Sequence, residues 1–194
     1  MLLRSVATVS PNHLGRLGAL LGLILISTAV LWQELVHTTP WHLAWFPAEN
    51  ALLEGTLGAL AGVLLAGLIW ALSQRLAALR RIQERLLETL EVHRMRWPHA
   101  VLFGLLAGIP EEMFFRGAMQ PALGVWLTAM IFGALHAVSP IYFIYATGAG
   151  LALGSLATWR GDLWAATLAH ISYDTTLFLL LMWHVRRNKT MIGS

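Results

Sequence analysis

The chain contains no cysteine. Disulfides, cysteine nucleophiles and thiolate metal sites are therefore excluded. Charge is also scarce: 12% of the 194 residues are Asp, Glu, Lys or Arg, against 57% that are hydrophobic. A soluble domain carries about twice that charge. Two hydrolytic signatures are missing. No His-Glu-x-x-His run marks a helical zinc protease, and no serine sits in a Gly-x-Ser-x-Gly elbow. Polar and apolar residues do not alternate. The apolar residues lie in long blocks, the pattern of a bilayer-spanning chain. The length suits one compact unit, so residues 1–194 are expected to form a single integral membrane domain. The formal net charge of +3 comes from clustered arginines. It reports membrane orientation, not nucleic-acid binding, and no nucleic-acid partner is expected.

The gaps between charges mark an all-α polytopic membrane protein of about six transmembrane helices. They are Leu17 to Gln33, Gly55 to Gln74, Pro98 to Met119, Ala122 to Val138, Ile141 to Trp159 and Leu163 to Val185. The first resembles a signal peptide, but no small-x-small cleavage site ends it, and it reads as a retained span. Gly58 with Gly62, and Gly150 with Gly154, offer small-residue faces for close helix contact. Arg4 and Arg16, the six arginines from Arg75 to Arg96, and Arg186, Arg187 and Lys189 all fall on one side if there are six spans. That side should be the cytoplasm, with both termini in it. Gln74 to Arg96, with Leu79, Ile82, Leu86 and Leu90 at helical spacing, reads as an amphipathic helix on the cytoplasmic interface. A solvated connecting helix is the plainer account of it.

Four charged residues interrupt the apolar spans: Glu111, Glu112, Arg116 and Asp174. A charge at bilayer depth costs at least ~2.5 kcal/mol on insertion scales, so such residues face the bundle interior or a wet cavity and usually mark function. His136 and His170 share that environment. Glu112 and Arg116 stand four apart and can pair on one helix face, while Glu111 is turned roughly 100° away. Phe132 and His136, and His170 and Asp174, are also four apart. Pro110 removes a backbone donor just before the carboxylates and should kink that helix. Each feature has a plain structural account: an ion pair, a core histidine, a polar clasp. Together, three spans each bringing ionisable groups point to chemistry. A carboxylate with histidines can activate water as a general base, and further donors can hold a tetrahedral oxyanion.

Three motifs sharpen this reading. Glu111-Glu112-Met113-Phe114-Phe115-Arg116 resembles the EExxxR motif of the CPBP family, the CAAX protease and bacteriocin-processing proteins also called Abi. Phe132 to His136 resembles its FxxxH motif, and His170 to Asp174 its HxxxN or HxxxD motif. The resemblance covers about Gly108 to Asp174, inside a motif-bearing core of about residues 98–185. It implies a glutamate-dependent intramembrane endopeptidase without an obligatory metal or other cofactor, acting on a membrane-associated protein or peptide. By that resemblance Glu111 and His136 activate water, His170 and residue 174 form the oxyanion site, and Glu112, Arg116 and Phe132 support the pocket. Asp174 departs from the asparagine of the better-understood eukaryotic members, and a carboxylate cannot donate a hydrogen bond. Basic loops and compact size suit a bacterial inner membrane.

Two rival readings stay open. Glu111, His136, His170 and Asp174 would suit a zinc ion as ligands. A non-proteolytic immunity or assembly protein would bind a peptide in the same cavity. A geometric tension also stands. At ~1.5 Å per residue, Glu111 and His170 fall near mid-depth and His136 nearer the cytoplasmic end. Only a tilted or broken fourth helix would reconcile them, and nothing in the sequence marks one.

Overall fold

A computed structural model describes residues 8–36 and 38–192, with side chains through Arg187. Arg4, used above for orientation, lies outside the described residues, as does the side chain of Lys189. The described residues are helical almost throughout. In chain order the helices are α1 (Pro11–Val36), the short α2 (Trp41–Trp45), α3 (Ala51–Ser73), α4 (Ala77–Thr89), α5 (Trp97–Glu111), α6 (Gln120–Leu135), α7 (Pro140–Arg160) and α8 (Trp164–Ile192). A π-helical segment, Glu112–Met119, joins α5 to α6.

Five stretches are long and apolar enough to cross a membrane: Pro11–Val36, Ala51–Ser73, Trp97–Leu135, Pro140–Arg160 and Trp164–Arg187. The sequence reading divided the third of these into two spans, and the helical run holds one non-helical residue, Gly124, between them. A straight run of 39 residues would be about 58 Å long, roughly twice a ~30 Å hydrocarbon core. It is not straight. Gly124 has φ 75° and ψ 163°, a combination open essentially only to glycine. Contacts with α7 show the outcome. Before Gly124, Arg116 bonds the Gly150 carbonyl and Gln120 the Gly154 carbonyl, so the chain ascends α7. After it, Val125 meets Gly154, Ala129 meets Gly150, and Gly133 meets Thr147, so the chain descends. The chain doubles back at Gly124.

Small residues set the other close contacts. A Cβ on Gly58 or Gly62 would overlap the Ala165 and Ala169 carbonyls of α8, and one on Gly104 or Gly108 would crowd Thr175 and Ile171. Helix α8 is thus gripped by α3 and α5. The helix ends are marked as expected. Ser139 caps α7 through the Tyr142 N–H at 3.2 Å, with Pro140 in its first turn. Gly161, at φ 76°, ends it in the left-handed conformation.

The two ends of the bundle differ. At one, the Leu163 N–H donates to the Trp45 carbonyl at 2.8 Å and the Trp164 indole to the Pro47 carbonyl at 2.8 Å. Glu54, 4% exposed, pairs with Arg160 there. At the other, Leu86, Leu87 and Leu90 pack on Val92, Met95 and Phe103. On α4, Arg80 and Glu84 form an exposed pair at 3.9 Å.

Candidate functional site

Pro110 sits inside α5, one residue before the first carboxylate. It cannot donate to a backbone carbonyl one turn earlier, and the wider π-helical turn begins two residues on, at Glu112. Single π turns of this kind recur at functional sites. This turn sends Glu112 and Arg116 into the bundle, where their side chains are 0% and 1% exposed.

Glu112 is the hub. Its Oε1 accepts from Arg116 Nη1 at 2.9 Å and from His170 Nδ1 at 2.7 Å. Arg116 also donates to the Gly150 carbonyl at 3.3 Å and lies over the Phe132 ring, 4.6 Å from its centroid. The far side of the Phe132 ring region is taken by His136, with ring centroids 4.3 Å apart and planes tilted by 30°. The sequence reading gave Glu112 an ion pair with Arg116 and support of the pocket. The bond from His170 Nδ1 was missed, because no spacing rule links residues on separate spans.

Glu111, one residue earlier, has a side chain 15% exposed. Its Oε2 is 3.7 Å from His136 Nε2 and 4.0 Å from His170 Nε2. His170 Nε2 lies 3.6 Å from Asp174 Oδ2. These separations exceed direct hydrogen bonds. Among the described residues Glu111 Oε2 is buried with no hydrogen-bond partner. The histidine tautomers follow from the neighbours. His136 Nδ1 is 2.8 Å from the Phe132 carbonyl, which can only accept, so the proton is on Nδ1 and a neutral ring turns its Nε2 lone pair to Glu111. His170 likewise donates its Nδ1–H to Glu112.

The structure therefore brings Glu111, His136, His170 and Asp174 together, with Glu112, Arg116 and Phe132 directly behind them. The position of His136 answers the depth problem raised by the sequence. Beyond Gly124 only residues 125–135 remain helical before the turn at His136, about 17 Å of rise, so His136 stops at the level of Glu111. Among the described residues, no group of three or more His, Asp or Glu side chains is placed to hold a metal ion.

The four clustered residues all fall inside a stretch that resembles known proteins. Residues 93–176 match the model of a family described as type II CAAX prenyl endopeptidase Rce1-like. The chain is 35% identical over 96 residues to the uncharacterised protein YpbD of Bacillus subtilis (strain 168), an alignment covering 47% of this chain and 51% of that protein. The chain thus spans about half the length of that relative. No solved structure matches it.

Proposed function

We propose that this chain, whose residues 93–176 match the Rce1-like CAAX endopeptidase family model, is a glutamate-type intramembrane endopeptidase of a bacterial inner membrane. Its substrate is a peptide bond of a membrane-associated protein or peptide. The observation that carries this reading is the convergence on Glu111 Oε2, a buried acceptor without a bond, of the Nε2 atoms of His136 and His170 at 3.7 and 4.0 Å.

A water held between Glu111 Oε2 and His136 Nε2 donates one hydrogen to each, because both atoms are acceptors. Glu111 takes a proton from it as general base, and the hydroxide oxygen bonds to the carbonyl carbon of the scissile peptide. The carbonyl π pair moves onto oxygen. His170, steadied through Nδ1 by Glu112, donates from Nε2 to that oxyanion as an imidazolium, and Asp174 completes the site. When the carbon–nitrogen bond breaks, the proton on Glu111 passes to the departing amine. Arg116 and Phe132 keep Glu112 and His136 in register.

The deciding experiment compares peptides from cells carrying the wild-type protein with those from cells carrying Glu111→Gln, followed by cleavage with purified protein. Glu111→Gln preserves shape and removes the proton acceptor, so turnover should fall by at least ~100-fold. Near-wild-type turnover by Glu111→Gln would refute the glutamate mechanism. The same assay with a strong chelator separates it from zinc catalysis: activity should persist, and loss that is restored by added zinc would favour the metal.

A further inference from the structure

A small groove runs from the surface of α1 to the catalytic carboxylates. Its walls are Leu14, Leu21 and Leu25 of α1, Phe103 and Leu106 of α5, and Phe178 of α8. Glu111 and Asp174 also line it, and its volume is about 200 Å³. Leu21 at its mouth is 55% exposed, on a helix long and apolar enough to cross a membrane. Two of the lining positions on α1, Gly18 and Gly22, are glycines that let it approach α5 closely. Added Cβ atoms there would sit 3.4 Å from Leu106 Cδ1 and 3.0 Å from Pro110 Cγ. A larger residue at 18 would press on Leu106, itself a wall of the groove.

We infer that this groove is a specificity pocket which takes one large apolar side chain of the substrate, adjacent to the bond cut, from the bilayer side. The inference rests on the proposed peptidase reading. Continuity with the reacting groups identifies the occupant. Whatever fills the groove lies against Glu111, so it belongs to the residue whose carbonyl or amide meets the activated water. The wall chemistry gives its class: every lining side chain except the two carboxylates is apolar, and an unpaired polar group would be stranded there. Size gives the rest. Pockets for drug-sized ligands run ~300–1,000 Å³, so a groove below that range suits a leucine, methionine or phenylalanine side chain and not a long lipid chain. The selecting wall, α1, lies outside residues 93–176. Substrate preference would therefore be set by a helix that the family-like segment does not contain.

The test uses the full chain in vesicles of phosphatidylcholine and phosphatidylglycerol with a degenerate library of quenched apolar peptides. Cleavage positions are read by mass spectrometry. The wild type should cut beside large apolar residues. Gly18→Leu narrows the groove and should lower the kcat/KM ratio for phenylalanine over alanine at that position by at least ~10-fold, the scale of a few methylenes in a pocket. Leu21→Ala widens the mouth and should move the ratio the other way, which guards against a Gly18→Leu protein that fails to fold. An unchanged ratio in both variants would overturn the pocket. If the wild type cuts no peptide, the peptidase reading falls, and the pocket is judged by occupancy instead. An apolar peptide bearing benzophenone is photocrosslinked to the Glu111→Gln protein in the same vesicles. Adducts on Leu21, Leu25 or Phe178 that unlabelled peptide suppresses would uphold the pocket. Adducts elsewhere, or adducts that peptide does not suppress, would refute it.

Discussion

At the scale of single residues, Glu112 decides how Asp174 and Arg116 should behave. His170 already has one ring nitrogen fixed, since Nδ1 donates to Glu112 at 2.7 Å. Asp174 is left at 3.6 Å from Nε2, too far for a direct bond, and its charge is not what holds the ring. As an oxyanion donor Asp174 must carry a proton, and a protonated carboxyl and an amide then have the same shape and each offer a hydrogen. Asp174→Asn should therefore keep cleavage within about tenfold of wild type, while Asp174→Ala, which offers none, should lose ~10²-fold or more, the scale of one missing oxyanion donor. Single-turnover cleavage checks both, and a folded but inactive Asp174→Asn would return Asp174 to the role of orienting His170. Arg116 presents the opposite case. Its partner Glu112 is completely buried, so removing the guanidinium leaves that carboxylate with only its bond from His170. Breaking a buried pair in this way typically costs ~3–5 kcal/mol. Arg116→Ala should show a clear drop in melting temperature in detergent along with lost activity. Lost activity with unchanged melting would mean that Arg116 acts on the substrate directly.

At the scale of elements, the backbone break in α6 matters most. Gly124 allows the chain to reverse, and the short helix after it delivers His136 to Glu111. A side chain at φ 75° and ψ 163° is strained by ~1–3 kcal/mol. A Cβ on Gly124 has open space around it, so the cost is conformational and not steric contact. Gly124→Ala should lower stability by about that amount. Any relaxation of the turn withdraws His136, so cleavage should fall more than stability alone accounts for. Melting and turnover measured on the same preparation separate the two effects. The break also shows where the sequence stops being informative. Glu111, His136, His170 and Asp174 stood out because charge at membrane depth is rare, and local spacing paired Glu112 with Arg116. The small faces at Gly58 and Gly62 were legible for the same local reason, and they do meet α8. A reversal was legible in the boundary between the spans ending at Met119 and starting at Ala122, but its place was not, because Gly124 itself sits between apolar residues. The Glu112–His170 bond was not either, because it joins residues 58 apart whose meeting depends on how three helices pack.

At the scale of the whole molecule, the open quantity is the number of crossings. Five helical runs qualify by length and composition, yet the run containing Gly124 doubles back against α7. Counted as two passes, it gives six crossings, and the arginines from Arg75 to Arg96 then lie on the same side as Arg186 and Arg187. Counted as one, those two clusters fall on opposite sides, against the usual cytoplasmic bias of Lys and Arg. Asp162 discriminates between the counts. It lies in the turn between α7 and α8, where its carboxylate accepts the Trp164 N–H at 2.9 Å, beside the loop that holds Glu49. With six crossings, both positions face away from the cytoplasm; five would put them on opposite faces, against the Leu163–Trp45 and Trp164–Pro47 bonds that join the two loops. The absence of cysteine makes single-cysteine variants clean reporters. Glu49→Cys and Asp162→Cys should both react with an impermeant maleimide in intact cells, and Glu84→Cys and Thr190→Cys only after permeabilisation. Protection of Asp162→Cys until the membrane is opened would leave five crossings and place the two termini on opposite sides.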